Sequence, residues 1–148
     1  MSKANWSPIQ LRHYYFIRLS VIAREEVLAA LDIDQAALYP TFDDISLEPE
    51  VSLFRSDEGS EQDPYMLRLA VAHEPDEQSV FPYKFDVMLE GVIEVAHLDQ
   101  LDDAKRLVVI NGASMLYSAA REQILALTSR HLYGPLMLPT LNFQHLQV

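Results

Sequence analysis

Apolar residues recur at every second position along the first two thirds of the chain. From about Arg12 to Ala23, Tyr15, Ile17, Leu19 and Val21 alternate with Phe16, Arg18, Ser20 and Ile22. That period predicts a strand with one strongly apolar face and one mixed face. It returns after Pro49 in EVSLFRS. It returns again in PYMLRLAVAHE, where Tyr65, Leu67, Leu69 and Val71 alternate with Met66, Arg68, Ala70 and Ala72. A fourth run spans about Val80 to Ala96, with Phe85, Val87 and Leu89 facing one way and Asp86, Met88 and Glu90 the other. Gly91 inside it marks a bulge or a close backbone approach. The acidic stretch SDEGSEQDP at 56–64 and Pro75-Asp76-Glu77 supply turns.

The period lengthens after Leu98. Leu116, Ala120, Ile124 and Leu127 recur at helical spacing, and Tyr117 and Leu125 widen that stripe. The spacing predicts a helix over 98–130, with Asp99, Asp102 and Asp103 near its start, where negative charge suits the dipole. Arg130 and His131 place positive charge in its last turn, and Gly134-Pro135 ends it. Asn111-Gly112 is a candidate interruption. Leu136, Leu138 and Leu141 come next, in a tail that Pro135 and Pro139 keep extended. Residues 24–46 read as a crossover with a short helix around Val27, Leu28, Leu31 and Ala36, opened by Pro40 and Asp43-Asp44. Four strands and then a helix imply an α+β fold, a four-stranded antiparallel sheet with the long C-terminal helix packed on one face. The 148 residues predict one domain, 1–148.

Composition narrows the function. Hydrophobic residues make up 49% of the chain, too many for disorder. There is no cysteine, hence no disulfide framework and no thiolate chemistry. No apolar signal region opens the chain and no run is long enough for a transmembrane helix, so neither a signal peptide nor a membrane span is expected. Asn5-Trp6-Ser7 matches a glycosylation acceptor by chance in that setting. The net charge of −11 disfavours nucleic acid and anionic membranes, and suits a basic or unfolded polypeptide partner.

Catalytic chemistry is not in view. LVVINGAS at 107–114 looks like a strand entering a nucleotide turn, but Gly112 stands alone where a phosphate cradle needs several glycines. His13, His73, His97, His131 and His145 show no ligand spacing, so no metal is expected. Ser114, Ser118 and Ser129 lack a nucleophile elbow. Neither an enzyme nor a cofactor is expected.

The helix and tail carry a resemblance. Ala120-Arg121-Glu122, Ile124, Ser129-Arg130, Leu136, Leu138 and Asn142-Phe143 resemble the C-terminal half of the SecB family, the bacterial protein-export chaperones, without a gap. Pro49 to Leu53, Tyr65 to Val71 with Arg68, and Val87 to Val95 with Gly91 resemble the family's strands more loosely. The resemblance covers roughly residues 14–143. It implies an ATP-independent cytoplasmic holdase, a homotetramer built as a dimer of dimers, that binds unfolded preproteins in apolar grooves for export and hands them to the motor SecA during translocation. It places Val51 and Leu53 in the groove and Leu47 at a bordering aromatic position, with Phe42 nearby to supply the ring. It places Phe85, Val87 and Leu89 toward the contact between dimers. Apolar residues on several sides of the helix, among them Leu116, Ile124 and Leu127, also predict an oligomer interface; a helix broken at Asn111-Gly112 and folded back is the competing reading. Of the acidic positions that meet SecA in the family, two are Arg18 and Ile22 here, and Asp86 alone keeps its charge. A SecB-like chaperone of a toxin–antitoxin system is therefore a neighbouring expectation. A non-chaperone oligomeric α+β binding protein is the expectation from another class.

Overall fold

The structure is a computed structural model, and it describes residues 5–30, 40, 42–43, 45–54, 64–96 and 103–146. In chain order it contains β1 (Ile9–Ala23), a short 3₁₀ helix (Glu25–Ala30), β2 (Glu50–Phe54), β3 (Tyr65–His73), β4 (Tyr83–Val95) and α1 (Ala104–Thr128). The strands form one antiparallel sheet in the order β1-β4-β3-β2. β1 and β2 are consecutive strands, yet they occupy opposite edges of the sheet. The expected turn at 56–64 and the acids Asp99 and Asp102 lie outside the described residues, apart from Pro64.

The period-two runs form strands because their β-branched and aromatic residues fill a half-buried pleated surface. On the inner face β3 contributes Leu67, Leu69 and Val71, and β4 contributes Tyr83, Phe85, Val87, Leu89 and Ile93, all buried. β1 departs from the simple alternation expected of it. Register shifts fall between Leu11 and His13 and between Phe16 and Arg18. Each shift places an extra residue in the strand and flips the phase of the residues after it. Phe16 therefore opposes Leu89 on the inner face while Tyr15 opposes Glu90 on the outer one, and beyond the second shift Leu19 and Val21 turn inward. Tyr15, Ile17, Leu19 and Val21 do not share a face.

The helix lies across the inner face and is continuous through Asn111-Gly112. Its 25 residues span ~37 Å. Val108, Val109, Ala113, Leu116, Tyr117, Ala120 and Ile124 close the core from above. Two glycines allow the approach. A Cβ on Gly112 would stand 2.5 Å from Ile93 Cδ1 and 2.6 Å from Leu67 Cδ2, and one on Gly91 would stand 2.8 Å from Leu116 Cδ2. Gly91 thus marks close approach, while the bulges sit in β1.

The helix begins at Asp103, whose backbone is left-handed at φ 54 and whose side chain makes no capping bond. It ends at Thr128, short of Arg130 and His131, which lie in the turns beyond. Thr128 Oγ1 donates to the Ile124 carbonyl at 2.7 Å and accepts the Leu136 amide at 2.8 Å, so the buried hydroxyl turns the chain back. Gly134, at φ 80, supplies the left-handed residue for that reversal. The tail then runs back along α1. Tyr117 donates to the Pro139 carbonyl, Arg121 to the Leu138 carbonyl and Tyr83 to the Gly134 carbonyl. Burial pushes the hydroxyls of Tyr83 and Tyr117 up to about 12, which keeps both as donors at physiological pH. Leu136, Leu138 and Phe143 point inward and complete the core.

Candidate functional site

The apolar alternation of β2 continues upstream of the strand. Ile45, Leu47, Pro49, Val51 and Leu53 are half-buried, and Ser46, Glu48, Glu50, Ser52 and Phe54 between them are exposed. Register fixes the side: Val51 opposes Leu69 and Leu53 opposes Leu67, so this row continues the inner face to its edge. Among the described residues β2 pairs with β3 alone and stands at the edge of the sheet. A strip about nine residues long results, apolar on one side and acidic at Glu48 and Glu50 on the other.

Of the residues expected to touch a client, Leu47, Val51 and Leu53 lie along this strip and Phe42 just upstream of it, and all four pack partly against the core. The C-terminal tail forms the opposite bank at the middle of the row. Leu47, Glu48 and Pro49 face Leu141, Asn142, Phe143, His145 and Leu146 across a cleft of ≈ 350 Å³. Upstream of Ile45, Phe42 is turned toward the protein. Its ring centroid is 5.0 Å from that of Phe81 and 6.4 Å from that of Phe85. His73 packs on the same two rings, at 5.2 Å from Phe81 and 6.2 Å from Phe85. Its Nε2 is buried without a hydrogen-bond partner. Burial, and after it the positive charge of Arg24, holds this imidazole below the usual histidine value and hence neutral.

Arg24 fixes the β3–β4 connection that carries Phe81. Its guanidinium donates to the carbonyls of Phe81 at 2.7 Å, Ser79 at 3.0 Å and Asp76 at 3.3 Å, and it pairs with Glu26. Its own carbonyl accepts the Tyr133 hydroxyl. One buried side chain therefore ties the end of β1 to the turn, and its backbone ties both to the segment after α1.

The outer sheet face is neutralised pair by pair. Asp86 holds Arg18 at 3.2 Å, Glu94 holds Arg12 at 2.6 Å, and Glu90 accepts from Tyr15 and from the Arg68 guanidinium. The Tyr15 hydrogen bond and then the Arg68 contacts outweigh burial and hold the Glu90 carboxyl below its usual value. Asp86, expected to meet a motor protein, is thus already engaged by Arg18 from the neighbouring strand.

Of the residues expected at a contact between subunits, Phe85, Val87, Leu89, Leu116 and Ile124 are all buried in the core of the single chain, where helix and sheet use them on each other. Leu127 is 39% exposed on α1. The other large apolar residues at the surface include Tyr14 and Ile17 on the β1 edge, and Leu132 and Met137 after the helix. Sequence reasoning missed Ile45, His73 and Phe81. The signal for Ile45 was present, because the alternation extends through ISLEPEVSL. Nothing local distinguished His73, whose burial comes from β4 and the turn.

Among the described residues no three His, Cys, Asp or Glu side chains converge as a metal site, and no helix is long and apolar enough to cross a membrane. The family model described as "Preprotein translocase subunit SecB" matches residues 30–147. Compared with curated proteins, the chain has no match. Among solved structures it is similar to the Rv1957 SecB-like chaperone of Mycobacterium tuberculosis, solved in complex with a ChAD peptide from the HigA1 antitoxin. The TM-score is 0.60 at 16% identity, covering 90% of this chain and 88% of that one. It is also similar to a protein of unknown function from Streptococcus agalactiae, with TM-score 0.55 at 10% identity, covering 89% of this chain and 97% of that one. At these identities the likeness is one of fold.

Proposed function

The chain belongs to the SecB family, and from that premise we propose that it is an ATP-independent holdase chaperone that binds extended, unfolded segments of client polypeptides. The observation that carries this reading is the half-buried apolar row from Ile45 to Leu53 along an open sheet edge. An unfolded client exposes both things this strip accepts. Its apolar side chains gain about 25 cal/mol per Å² on burial against the row. Its backbone, being extended, matches the free edge of β2. The acids Glu48 and Glu50 favour clients that carry positive charge, as does the net charge of −11. We infer a cytoplasmic homo-oligomer, a tetramer made as a dimer of dimers, in which such strips from several chains act on one long client.

Light scattering of several unrelated proteins, unfolded and diluted without ATP, tests this. The wild type suppresses their aggregation, and Leu53→Asp, which places a carboxylate in the row, weakens client affinity by about tenfold or more while the fold is retained. Unchanged affinity in the folded variant overturns the assignment. A single saturable small ligand, with no suppression, points to a binding protein instead.

A dedicated client is the second reading, of the kind the mycobacterial protein takes in an antitoxin peptide. The engaged outer face favours it: Arg18 and Ile22 stand where the family carries acids, and Arg18 occupies Asp86. We expect weak or absent SecA binding by calorimetry. Affinity comparable to that of an export chaperone rejects this second reading and places the protein in general export.

A further inference from the structure

Phe42 and His73 meet Phe81 and Phe85 from different elements. Phe81 is in the turn before β4, Phe85 is on β4, His73 ends β3, and Phe42 comes from the crossover. Phe81 and Phe85 are buried, Arg24 holds the Phe81 carbonyl, and His73 stands opposite Phe85 in the β3–β4 register. Phe42, half-buried like His73, lies outside the strands, and the backbone bond at its carbonyl is local, from the Ile45 amide at 3.1 Å. The rigid set is therefore a socket, and Phe42 is a ring resting in it.

His73 adds a chemical preference to that socket. Buried polar atoms are nearly always hydrogen-bonded, and leaving one unpaired is costly. Among the described residues, His73 Nε2 is the buried side-chain nitrogen or oxygen that lacks a partner. The imidazole also lines an open cleft of ≈ 450 Å³ with Ile45, Glu74, Pro75, Asp76, Gln78 and Ser79, which gives a chain access from outside. Phe42 can fill the aromatic volume, but phenylalanine offers nothing to a nitrogen.

We propose that Phe42 is an intramolecular placeholder in an aromatic socket formed by His73, Phe81 and Phe85, that a client's aromatic side chain displaces it, and that His73 Nε2 selects tyrosine over phenylalanine by hydrogen-bonding the phenol. This rests on the client-binding reading of the strip beginning at Ile45 and names its chemical preference. Tyrosine is matched because its ring takes the place of the Phe42 ring and its hydroxyl both donates and accepts. A neutral imidazole nitrogen pairs with it in either tautomer. The neighbouring acids Glu74 and Asp76 disfavour an acidic client at this end.

Three labelled peptides test the proposal. Each has twelve residues of serine and leucine, flanked by lysine, with one central Tyr, Phe or Leu. Fluorescence anisotropy with the full chain is expected to rank Tyr above Phe by about fivefold, the size of one neutral hydrogen bond, and Phe above Leu. His73→Phe keeps the ring and removes the nitrogen; it is expected to abolish the Tyr-over-Phe ratio while leaving the Phe peptide bound. Phe42→Ala removes the competitor and is expected to tighten the Tyr and Phe peptides severalfold, leaving the Leu peptide unchanged. In the wild type, nuclear Overhauser contacts from the peptide's tyrosine ring to Phe81 and His73 provide a readout independent of either variant. Equal affinities for the three peptides, or their absence of contact with Phe81, overturn the socket while the client reading stands. Binding of none of the peptides, together with no suppression of aggregation, overturns the client reading itself.

Discussion

Glu90 is the residue whose environment most constrains its chemistry. It is 6% exposed on a sheet face that otherwise meets solvent, with Tyr15 and Arg68 donating to its carboxylate. Its folded pKa is depressed, first by the Tyr15 hydrogen bond and then by Arg68. A depressed carboxyl contributes stability that is fully present above its unfolded value and is lost as pH falls through the folded one. The wild type is therefore expected to lose stability progressively below the usual carboxylate range. Glu90→Gln should cost about 1–3 kcal/mol at pH 7 by removing the charge from the hydrogen bonds of Arg68 and Tyr15, and its stability should vary less with pH on the acid side. Denaturant midpoints measured from pH 7 to pH 3 check both statements; parallel curves for the two proteins reject them.

At the scale of elements, the decisive relation is between α1 and the sheet. Gly112 lies in the middle of the helix, where alanine is favoured by ~0.8–1 kcal/mol. The added methyl would meet the tips of Ile93 and Leu67, both fully buried and with little room to turn. Overpacking of this kind costs ~1–3 kcal/mol. The two terms oppose each other, and packing is expected to win, so Gly112→Ala should lower Tm by several degrees although it raises helix propensity. Thermal unfolding followed by circular dichroism decides it, and an unchanged or raised Tm means that helix and sheet can move apart at no cost. The same closeness gives Gly112 its place inside a continuous helix: only a residue without a side chain fits against Ile93 and Leu67 there.

For the whole molecule the question is how many chains associate. The helix is paired with the sheet of its own chain, so that sheet already satisfies Phe85, Val87, Leu89, Leu116 and Ile124. The large apolar residues left exposed include Leu127 on α1, with Leu132 and Met137 beyond it, and Tyr14, Ile17 and Ile22 on the long β1 edge. An exposed strand edge of 15 residues invites pairing unless something blocks it. Sedimentation at micromolar concentration is expected to give a mass above the 16.9 kDa of one chain, and Leu127→Glu or Ile17→Lys should lower it without unfolding. A wild type that remains monomeric throughout defeats the assembly. Val87→Asp is no test of association, because it buries a carboxylate in the core of a single chain.

Periodicity by itself determined the elements. The period-two runs became β2, β3 and β4, and the 3.6 period became α1, although the helix stops at Thr128, ahead of the expected stop at Gly134-Pro135. Polar identities at fixed offsets, such as Ala120-Arg121-Glu122 and Asn142-Phe143, pointed to the family, because amphipathicity alone does not require them. That Leu47, Val51 and Leu53 share one side was legible too, since an alternating segment keeps its side chains on one side wherever it lies; Phe42 has the opposite parity, and the fold sets its position beside Phe81. Tertiary structure alone decided the rest. The phase of β1 depended on two bulges that the sequence does not announce, because a bulge is a mismatch with a partner strand. Whether Phe85 and Val87 faced the chain's own helix or another subunit depended on how near α1 comes to the sheet. The burial of His73 Nε2 and the pairing of Asp86 with Arg18 likewise depended on residues distant in sequence. A residue's own chemistry sets what it can bind, but which partner reaches it first is fixed by the packing of remote segments.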